Sequence, residues 1–235
     1  MRKVAFCIHD LKLSDGIKIV DTVRNVREIF NILPITIHLI MDNDLEENDE
    51  VFQYLKKEVG SGQLEVVFHG VSHQCPVGTA KYLSWYHKYQ AEFLGNSFNS
   101  DTNRHRYNKL NEILQIKTGI CPPCWIASRK GWKFIKSLSP DYFEKLLSIN
   151  YTRKRNFSLS ISLGSDKKEE LFILKILASL ISITAIFIKH KRLRFIIHTI
   201  DLPVIDSIYF FRRKYSTLIS KGFTPFLQKD IVEVL

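Results

Sequence analysis

Two histidines four residues apart, His69 and His73, are the residues in this sequence best suited to chemistry. They follow an apolar run, Leu64–Phe68, whose β-branched residues predict a buried strand. Gly70 allows the backbone to turn sharply after the strand, and Ser72 is a suitable helix N-cap. The spacing therefore predicts a helical turn that places both imidazoles on one side, where they can share one metal ion.

Two further apolar runs end in a histidine close to an acid. The N-terminal run ends in His9 and Asp10, and a late run leads to His198 and Asp201. In α/β barrels the carboxyl ends of the strands open on one face, where side chains from several strands meet. We therefore expect a site on that face, with Asp10 as the third metal ligand. A histidine at a strand end is also commonly a structural polar residue, and that alternative stays open.

The composition fits one large α/β domain. The chain has 235 residues, of which 45% are hydrophobic, and this is ample for a sizeable core. The net charge of +10 favours anionic partners, such as phosphorylated glycans or a membrane surface. The sequence contains no recognisable DNA- or RNA-binding motif, so a nucleic-acid partner is not expected.

Hydrophobic periodicity predicts the elements that would position these residues. Amphipathic patterns predict helices, and short apolar runs predict strands. The predicted helices cover residues 17–32, 46–57, 101–117 and 204–220, and the predicted strands include 35–41, one or two within 148–163, and 223–227.

Residues 171–188 are mostly apolar and precede a basic segment, so their length would suit a transmembrane helix. Lys175 and several hydroxyl residues interrupt the run, which favours a core helix leading to the His198 strand. The N-terminus lacks the apolar stretch of a secretory signal, so we expect a cytoplasmic protein. Peripheral attachment to the inner face of the membrane, helped by the basic charge, is the alternative.

Four elements in this order resemble the polysaccharide deacetylase superfamily, which includes the fourth carbohydrate esterase family. They are His9-Asp10, HGVSH at 69–73, Pro-Pro-x-Trp at 122–125 and Ile-His-x-x-Asp at 197–201. The resemblance spans roughly residues 4–201 and points to a divergent, less characterised branch. It implies a distorted (β/α) barrel of about seven strands, with residues 1–235 as a single catalytic domain. It also implies a metal-dependent deacetylase that acts on an N-acetylated sugar or glycan precursor.

The resemblance assigns roles residue by residue. Asp10, His69 and His73 would bind a divalent metal, with Zn²⁺ as the first choice because two imidazoles and a carboxylate form a familiar catalytic zinc set. His198 would protonate the departing amine, and Asp201 would accept the other N–H of its imidazole or reach the metal.

Two positions depart from the family pattern. Members usually carry Asp-Asp-Gly, so His9 would replace the general base, and its ordinary pKa of about 6.5 suits that role. Strict strand alternation would instead point His9 and Asp10 to opposite faces and leave His9 as a structural residue. Cys121 replaces the arginine that normally pairs with the base. These departures keep a non-catalytic metal- or glycan-binding relative open as the alternative function.

The substrate would be bound by rigid and aromatic residues. Pro123 and Trp125 are expected to line the pocket, although Trp125 would fit a core position equally well. Residues 74–100 hold six aromatic side chains that suit either a glycan groove or a helical core stripe. Glu92 is expected to support the site or to contact the substrate. Cys121 and Cys124 have the spacing of a redox pair or half a zinc site, but they are more simply free thiols.

Overall fold

The computed structural model describes residues 1–43, 50–74, 92–94, 98–151, 155–162, 168–187, 191–203 and 205–231. Ten strands and six α-helices lie in these ranges. The strands are β1 Arg2–Lys12, β2 Ile35–Ile40, β3 Leu64–Phe68, β4 Gly119–Ile120, β5 Tyr142–Lys145, β6 Ser148–Tyr151, β7 Arg155–Phe157, β8 Leu159–Ser162, β9 Arg192–His198 and β10 Phe223–Phe226. The helices are α1 Lys18–Phe30, α2 Glu50–Gly60, α3 Ser100–Leu114, α4 Arg129–Ser137, α5 Lys168–Phe187 and α6 Ile205–Ser220.

The described strands form one sheet, in which seven consecutive neighbours are parallel in the order β5-β4-β3-β2-β1-β9-β8. The antiparallel strands β6 and β7 extend the sheet beyond β5. The short strand β10 pairs with Arg2–Ala5 at the start of β1. Strand β2 pairs with the later part of β1, from Cys7 to Lys12. The predicted α/β barrel is confirmed as a nearly closed, barrel-like sheet surrounded by helices.

Alternation along the strands divides the core into two layers. On β1, Val4, Phe6 and Ile8 pack in the large apolar cluster beneath the helices, whereas Ala5 and Cys7 belong to a smaller cluster on the other face of the sheet. The smaller cluster fills the barrel interior, and its members are Ala5, Cys7, Val67, Cys121, Tyr142, Ile149 and Ile196. The amphipathic helices cover the outer face, so both sides of these strands are buried, as is usual for parallel sheets.

Most predicted helices are present with modest changes at their ends. The helix predicted at 17–32 is α1, which ends where Asn31 adopts a left-handed conformation. The helix predicted at 101–117 ends earlier, at Leu114, because Gln115 is also left-handed. Residues 46–49 of another predicted helix lie outside the described part of the chain, and α2 continues to Gly60.

Helix α5 only partly fulfils the prediction of a core helix over 171–188. Ala178 and Ser182 are buried, and the helix packs against β8 and α6. Its other face carries five aliphatic side chains that are 46–58% exposed: Ile173, Ile176, Leu177, Leu180 and Ile183. A helix that packs on the outside of a barrel buries only one face, so the apolar run is a surface helix. Among the described helices, none combines the length and apolarity needed to cross a membrane.

A buried ion pair helps to close the barrel between its two edges. Arg194 on β9 and Glu144 on β5 are both fully buried, and the guanidinium donates to the Glu144 carboxylate over 2.7 Å. Arg194 also donates to the carbonyl oxygens of Lys145 and Leu146, at 2.9 and 2.6 Å. A bidentate guanidinium suits this bridge because it satisfies several acceptors at once. The charge pair therefore links the turn after β5 to the β8–β9 edge.

A second buried carboxylate, that of Glu65 on β3, lies in the same polar interior. It accepts hydrogen bonds from the Tyr142 hydroxyl at 2.7 Å, the Thr36 hydroxyl at 2.9 Å and the Lys229 amide at 3.1 Å. Burial disfavours the charged form more strongly than these donors favour it. The pKa of Glu65 is therefore raised from 4.5 to about 7.

Glu65 should make stability depend on pH. Because the folded-state pKa of about 7 lies above the ordinary 4.5, the folded protein binds more protons than the unfolded chain between these values. The free energy of unfolding should thus fall by about 3 kcal/mol as pH rises from 4.5 to 7, and this contribution is fully present only below 4.5. Urea unfolding across this range, compared with Glu65→Gln, measures the effect. Identical pH slopes in the two proteins would contradict the assignment.

Candidate metal centre

Parallel register brings the predicted site residues to one end of the barrel. His9 on β1 pairs directly with His198 on β9. His69 follows β3, and its amide donates to the carbonyl of Leu39 on β2 over 2.9 Å. Cys121 follows β4, and its amide donates to the carbonyl of Phe68 over 3.0 Å. Four strands, β1, β9, β3 and β4, thus deliver polar residues to the same carboxyl-terminal edge.

Asp10 reaches the site through an irregularity in β1. The β1–β2 register shifts between Ile8 and Leu11, and Asp10 has a φ of 64°. Bulges and left-handed non-glycine residues interrupt strand alternation and are enriched at functional sites. The side chains of His9 and Asp10 therefore both face the same cluster, rather than opposite faces as strict alternation would have them.

The predicted helical turn between His69 and His73 is wrong, because residues 69–74 form an irregular loop. Gly70 has a φ of 86° and His73 a φ of 50°, and neither value is helical. The loop nevertheless brings the two imidazole rings to a centroid separation of 5.1 Å. Proximity comes from the loop's shape instead of from helical spacing.

Glu92 holds that loop in place. Its Oε2 atom accepts from the backbone amides of Val71, Ser72 and His73, at 2.8, 3.0 and 3.3 Å. Its Oε1 atom accepts from the Asn103 side chain over 2.7 Å. A Cβ atom at Gly70 would lie 2.4 Å from Glu92 Oε2, so this approach requires glycine. The carboxylate is 4% exposed and occupied by protein donors, which fits a supporting role better than substrate contact.

Removing this carboxylate should weaken metal binding without removing a ligand. We expect Glu92→Ala to reduce zinc affinity by about tenfold to a hundredfold, because the loop that carries His73 loses its shared acceptor. Competition with a chromogenic chelator measures the affinity. Glu112→Ala, on the exposed face of α3, is the matched control and should leave it unchanged. Equal affinity in the Glu92 and Glu112 variants would show that the loop is held by other contacts.

Asp10 lies within ligand-sharing distance of both predicted imidazole ligands, although the described donors around it that all lie within 4.8 Å of one another are His9, Asp10 and His69, without His73. Asp10 Oδ1 lies 3.3 Å from His69 Nε2 and 3.2 Å from His73 Nε2. Tetrahedral zinc with bonds of about 2.0–2.2 Å separates neighbouring nitrogen and oxygen donors by roughly 3.3–3.4 Å. His69 Nδ1 donates to the Cys121 carbonyl over 2.7 Å, so in the neutral ring Nε2 presents a lone pair toward a carboxylate. The Asp10 carboxylate and the His69 Nε2 lone pair both accept, so a cation between them would suit both, and the residues fit a bound metal.

The electrostatics favour an ionised Asp10. Burial alone would raise the pKa of its carboxyl group, but the adjacent imidazoles of His69 and His73, together with the nearby His198, hold the pKa well below its usual value. Asp10 is therefore available as an anionic ligand at neutral pH.

His198 and Asp201 form a polar pair beside this centre. Asp201 is fully buried, accepts from the His198 amide over 2.9 Å, and has Oδ2 3.6 Å from His198 Nδ1. Burial opposes the charged imidazole, yet the nearby carboxylates of Asp201 and Asp10 raise the pKa of His198. Of the two roles expected for Asp201, the geometry favours orientation of His198.

His9 lies deeper than the other site residues. Its ring stacks on His38 with centroids 3.6 Å apart and lies 5.2–5.3 Å from the rings of His69, Trp125 and His198. Burial and the neighbouring imidazoles hold the pKa of His9 well below its usual value, so it is a neutral base. Its 2% exposure favours the structural alternative over a base in contact with substrate water.

The Pro-Pro-x-Trp segment forms one wall of the site. Trp125 has a φ of 56°, is partly exposed, and its ring lies 5.3 Å from that of His9. Its buried indole nitrogen has no hydrogen-bond partner among the described residues. Pro123 is buried, so it would shape this wall more than touch a ligand. Neither Cys121 nor Cys124 forms a disulfide, which agrees with the simpler expectation for them.

Only two of the six aromatic residues predicted to line a glycan groove or a core stripe lie within the described part of the chain. The other four, Tyr82, Trp85, Tyr86 and Tyr89, lie outside the described residues. Phe93 and Phe98 are buried in the core, and their rings are 5.5 Å apart.

A cavity of about 530 Å³ opens between α1 and the segment after His198. Leu11 and Thr199, which follow Asp10 and His198 in the chain, line it.

His38 was not identified from the sequence. It is fully buried on β2, stacks on His9, and has Nε2 3.3 Å from Glu144 Oε1. Burial, and to a lesser extent the nearby His69 and Arg194, hold the pKa of His38 well below its usual value. The available signal was the alternation of Thr36 and His38 with apolar residues in β2, because polar residues at every second position mark a polar face.

Neither the family models nor the curated proteins contain a match to this sequence. Solved structures do match. One is a provisionally assigned polysaccharide deacetylase from Mycobacterium smegmatis, with a TM-score of 0.52 and 12% identity over 96% of this chain and 88% of that one. Another is 4-alpha-glucanotransferase from Thermococcus litoralis, with a TM-score of 0.51 and 11% identity. That alignment covers 98% of this chain but only 38% of the glucanotransferase. At these identities the likeness is one of fold alone.

Proposed function

We propose that residues 1–235 form a single metal-dependent domain that removes the acetyl group from an N-acetylated amino sugar or glycan precursor. The observation that carries the proposal is the convergence of Asp10 Oδ1 with the Nε2 atoms of His69 and His73, at 3.3 and 3.2 Å, beside the His198–Asp201 pair. A carbohydrate substrate agrees with the deacetylase-like fold.

Each residue then has a distinct task. Asp10, His69 and His73 would hold a divalent cation, with Zn²⁺ preferred for this ligand set. Such a cation polarises a carbonyl and lowers the pKa of water. His198, oriented by Asp201, would accept the proton of the attacking water and deliver it to the departing amine nitrogen, which leaves acetate and a free amino sugar. Trp125 would face the sugar, and Glu92 would keep the His73 loop in position.

Two histidines, His9 and His198, compete for the role of general base. His9 occupies the position of the family's base, but its ring is enclosed by His38, His69, Trp125 and His198. His198 is nearer the surface, with a side chain 15% exposed. We therefore assign proton transfer to His198. His9→Gln should retain substantial activity, whereas His198→Gln should not.

Acetate release tests the proposal directly. Zinc-loaded protein is incubated with N-acetylglucosamine oligomers and with nucleotide-linked N-acetyl sugars, and free acetate is measured. His198→Gln should lower the rate by about 10²–10⁴-fold with zinc content unchanged. Full activity in that variant would contradict the role of His198.

The alternative is a non-catalytic relative that binds a metal or a glycan. His9 and Cys121, which replace the family's base and arginine, favour it. Zinc binding at the Asp10 centre without acetate release from any of these substrates would support this alternative over the deacetylase.

The cellular location remains a proposal from the sequence: the cytoplasm, with contact at the inner face of the membrane as a further option. The five exposed aliphatic residues of α5, together with the net charge of +10, are the features that favour such a contact. Co-sedimentation with anionic and neutral vesicles tests it, and absence from both pellets would exclude it.

A further inference from the structure

Beneath the predicted metal centre lies a second group of donor atoms. His9 on β1, His38 on β2 and Cys121 after β4 each offer a ligand atom within 4.8 Å of the others. Their residues are 2%, 0% and 0% exposed. This group shares no member with the set Asp10, His69 and His73, and it extends into the barrel interior.

Buried nitrogen atoms in this group lack the partners that such atoms normally have. Within the described ranges, no residue forms a hydrogen bond with His9 Nε2 or with either ring nitrogen of His38. A buried polar atom without a partner costs about 1–3 kcal/mol, so three together require an explanation. Glu144 lies 3.3 Å from His38 Nε2, but this contact leaves His38 Nδ1 unsatisfied.

The third donor is a sulfur atom with a weak contact of its own. Cys121 Sγ lies 3.7 Å from the carbonyl oxygen of the adjacent Pro122. Two imidazoles and a thiol, with no carboxylate in the set, select zinc-class ions over magnesium or calcium. Tetrahedral zinc separates neighbouring nitrogen and sulfur donors by roughly 3.3–3.6 Å, so donors within 4.8 Å need to converge by no more than about 1.5 Å.

We propose that His9, His38 and Cys121 form a second metal site, buried beneath the first, that binds a transition-metal cation of the zinc class. The cation would satisfy the unpaired imidazole nitrogens and join β1, β2 and the segment after β4. His9 also lies within 4.8 Å of Asp10 and His69, so it stands between the two sites. Its assignment to the buried site explains why this ring is not oriented toward solvent.

Cobalt titration of the metal-free full-length protein tests the proposal. Cobalt reports a thiolate ligand through a sulfur-to-metal charge-transfer band, which nitrogen and oxygen ligands do not produce. We expect two equivalents to bind, one of which develops this band. Cys121→Ser should abolish the band and retain one equivalent. Cys124→Ser, three residues away and also outside any disulfide, is the matched control and should retain the band.

A His73→Ala variant separates this proposal from the proposed function. It should lose one equivalent of cobalt and keep the charge-transfer band, because the buried site does not use His73. His38→Gln provides an independent variant, should Cys121→Ser fold poorly, and it should lose or strongly shift the band. A cobalt-saturated wild-type protein without the band, or a band that survives in Cys121→Ser, would overturn the buried site and leave the Asp10 centre untouched.

Discussion

Replacing His73 with alanine is expected to remove one equivalent of zinc and to reduce acetate release to background. The His73 Nε2 atom lies 3.2 Å from Asp10 Oδ1, and none of the described residues makes a hydrogen bond to it. Its loss leaves Asp10 and His69, which is one protein ligand fewer than catalytic zinc sites have. We expect zinc affinity at this centre to fall by more than about a hundredfold, beyond the effect typical of residues that only orient ligands.

The measurement is the zinc content after equilibrium dialysis, together with acetate release under the same conditions. His105→Ala on the exposed face of α3 is the matched control, because it removes an imidazole far from the site. It should leave both quantities unchanged. If His73→Ala retained the wild-type zinc content and activity, the ligand assignment would be wrong. Loss of activity with retained zinc would instead place His73 in contact with the substrate.

Replacing Arg194 with methionine should cause the largest loss of stability of any substitution considered. The guanidinium is fully buried and donates to Glu144 and to two carbonyl oxygens after β5. Its removal leaves a buried carboxylate without its ionic partner, and such truncations typically cost about 3–5 kcal/mol. The same substitution also breaks the link between the two edges of the barrel, so the loss should be near the upper end.

Arg27→Met provides the matched control. Arg27 pairs with Glu58 over 2.6 Å, but both side chains are partly exposed, at 17% and 15%. Water can replace such a partner, so its loss should cost only about 1 kcal/mol or less. Urea unfolding at constant pH measures both variants. Equal losses for the two would show that burial of the Arg194–Glu144 pair adds nothing to barrel closure.

The two sets of buried polar residues give the barrel interior an unusual character. Apolar side chains normally fill such an interior in layers. Here Arg194, Glu144, Glu65, His9 and His38 are all buried, and His38 Nε2 lies 3.3 Å from Glu144 Oε1. Each of these groups depends on a partner from another strand. Substitutions in the interior should therefore be less tolerated than equal changes on the helical surface.

Much of the fold and the main ligand candidates followed from local sequence. The apolar runs ending in His9-Asp10, His69 and His198 predicted strands, because alternating or continuous apolar residues encode buried strands over a few positions. The histidine and carboxylate types indicated metal chemistry, because they are the usual ligands of divalent ions. These signals are local, so the sequence alone can carry them.

The geometry of the site was decided only by tertiary structure. The bulge that turns Asp10 toward His69 depends on pairing between β1 and β2, whose residues are about thirty positions apart. The non-helical His73 loop depends on Glu92, which captures its amides from nineteen to twenty-one residues away. Arg194 meets Glu144 across fifty residues, and His38 meets His9 on a neighbouring strand. Residue type and local periodicity do not encode such long-range contacts, because only the closed sheet brings their partners together.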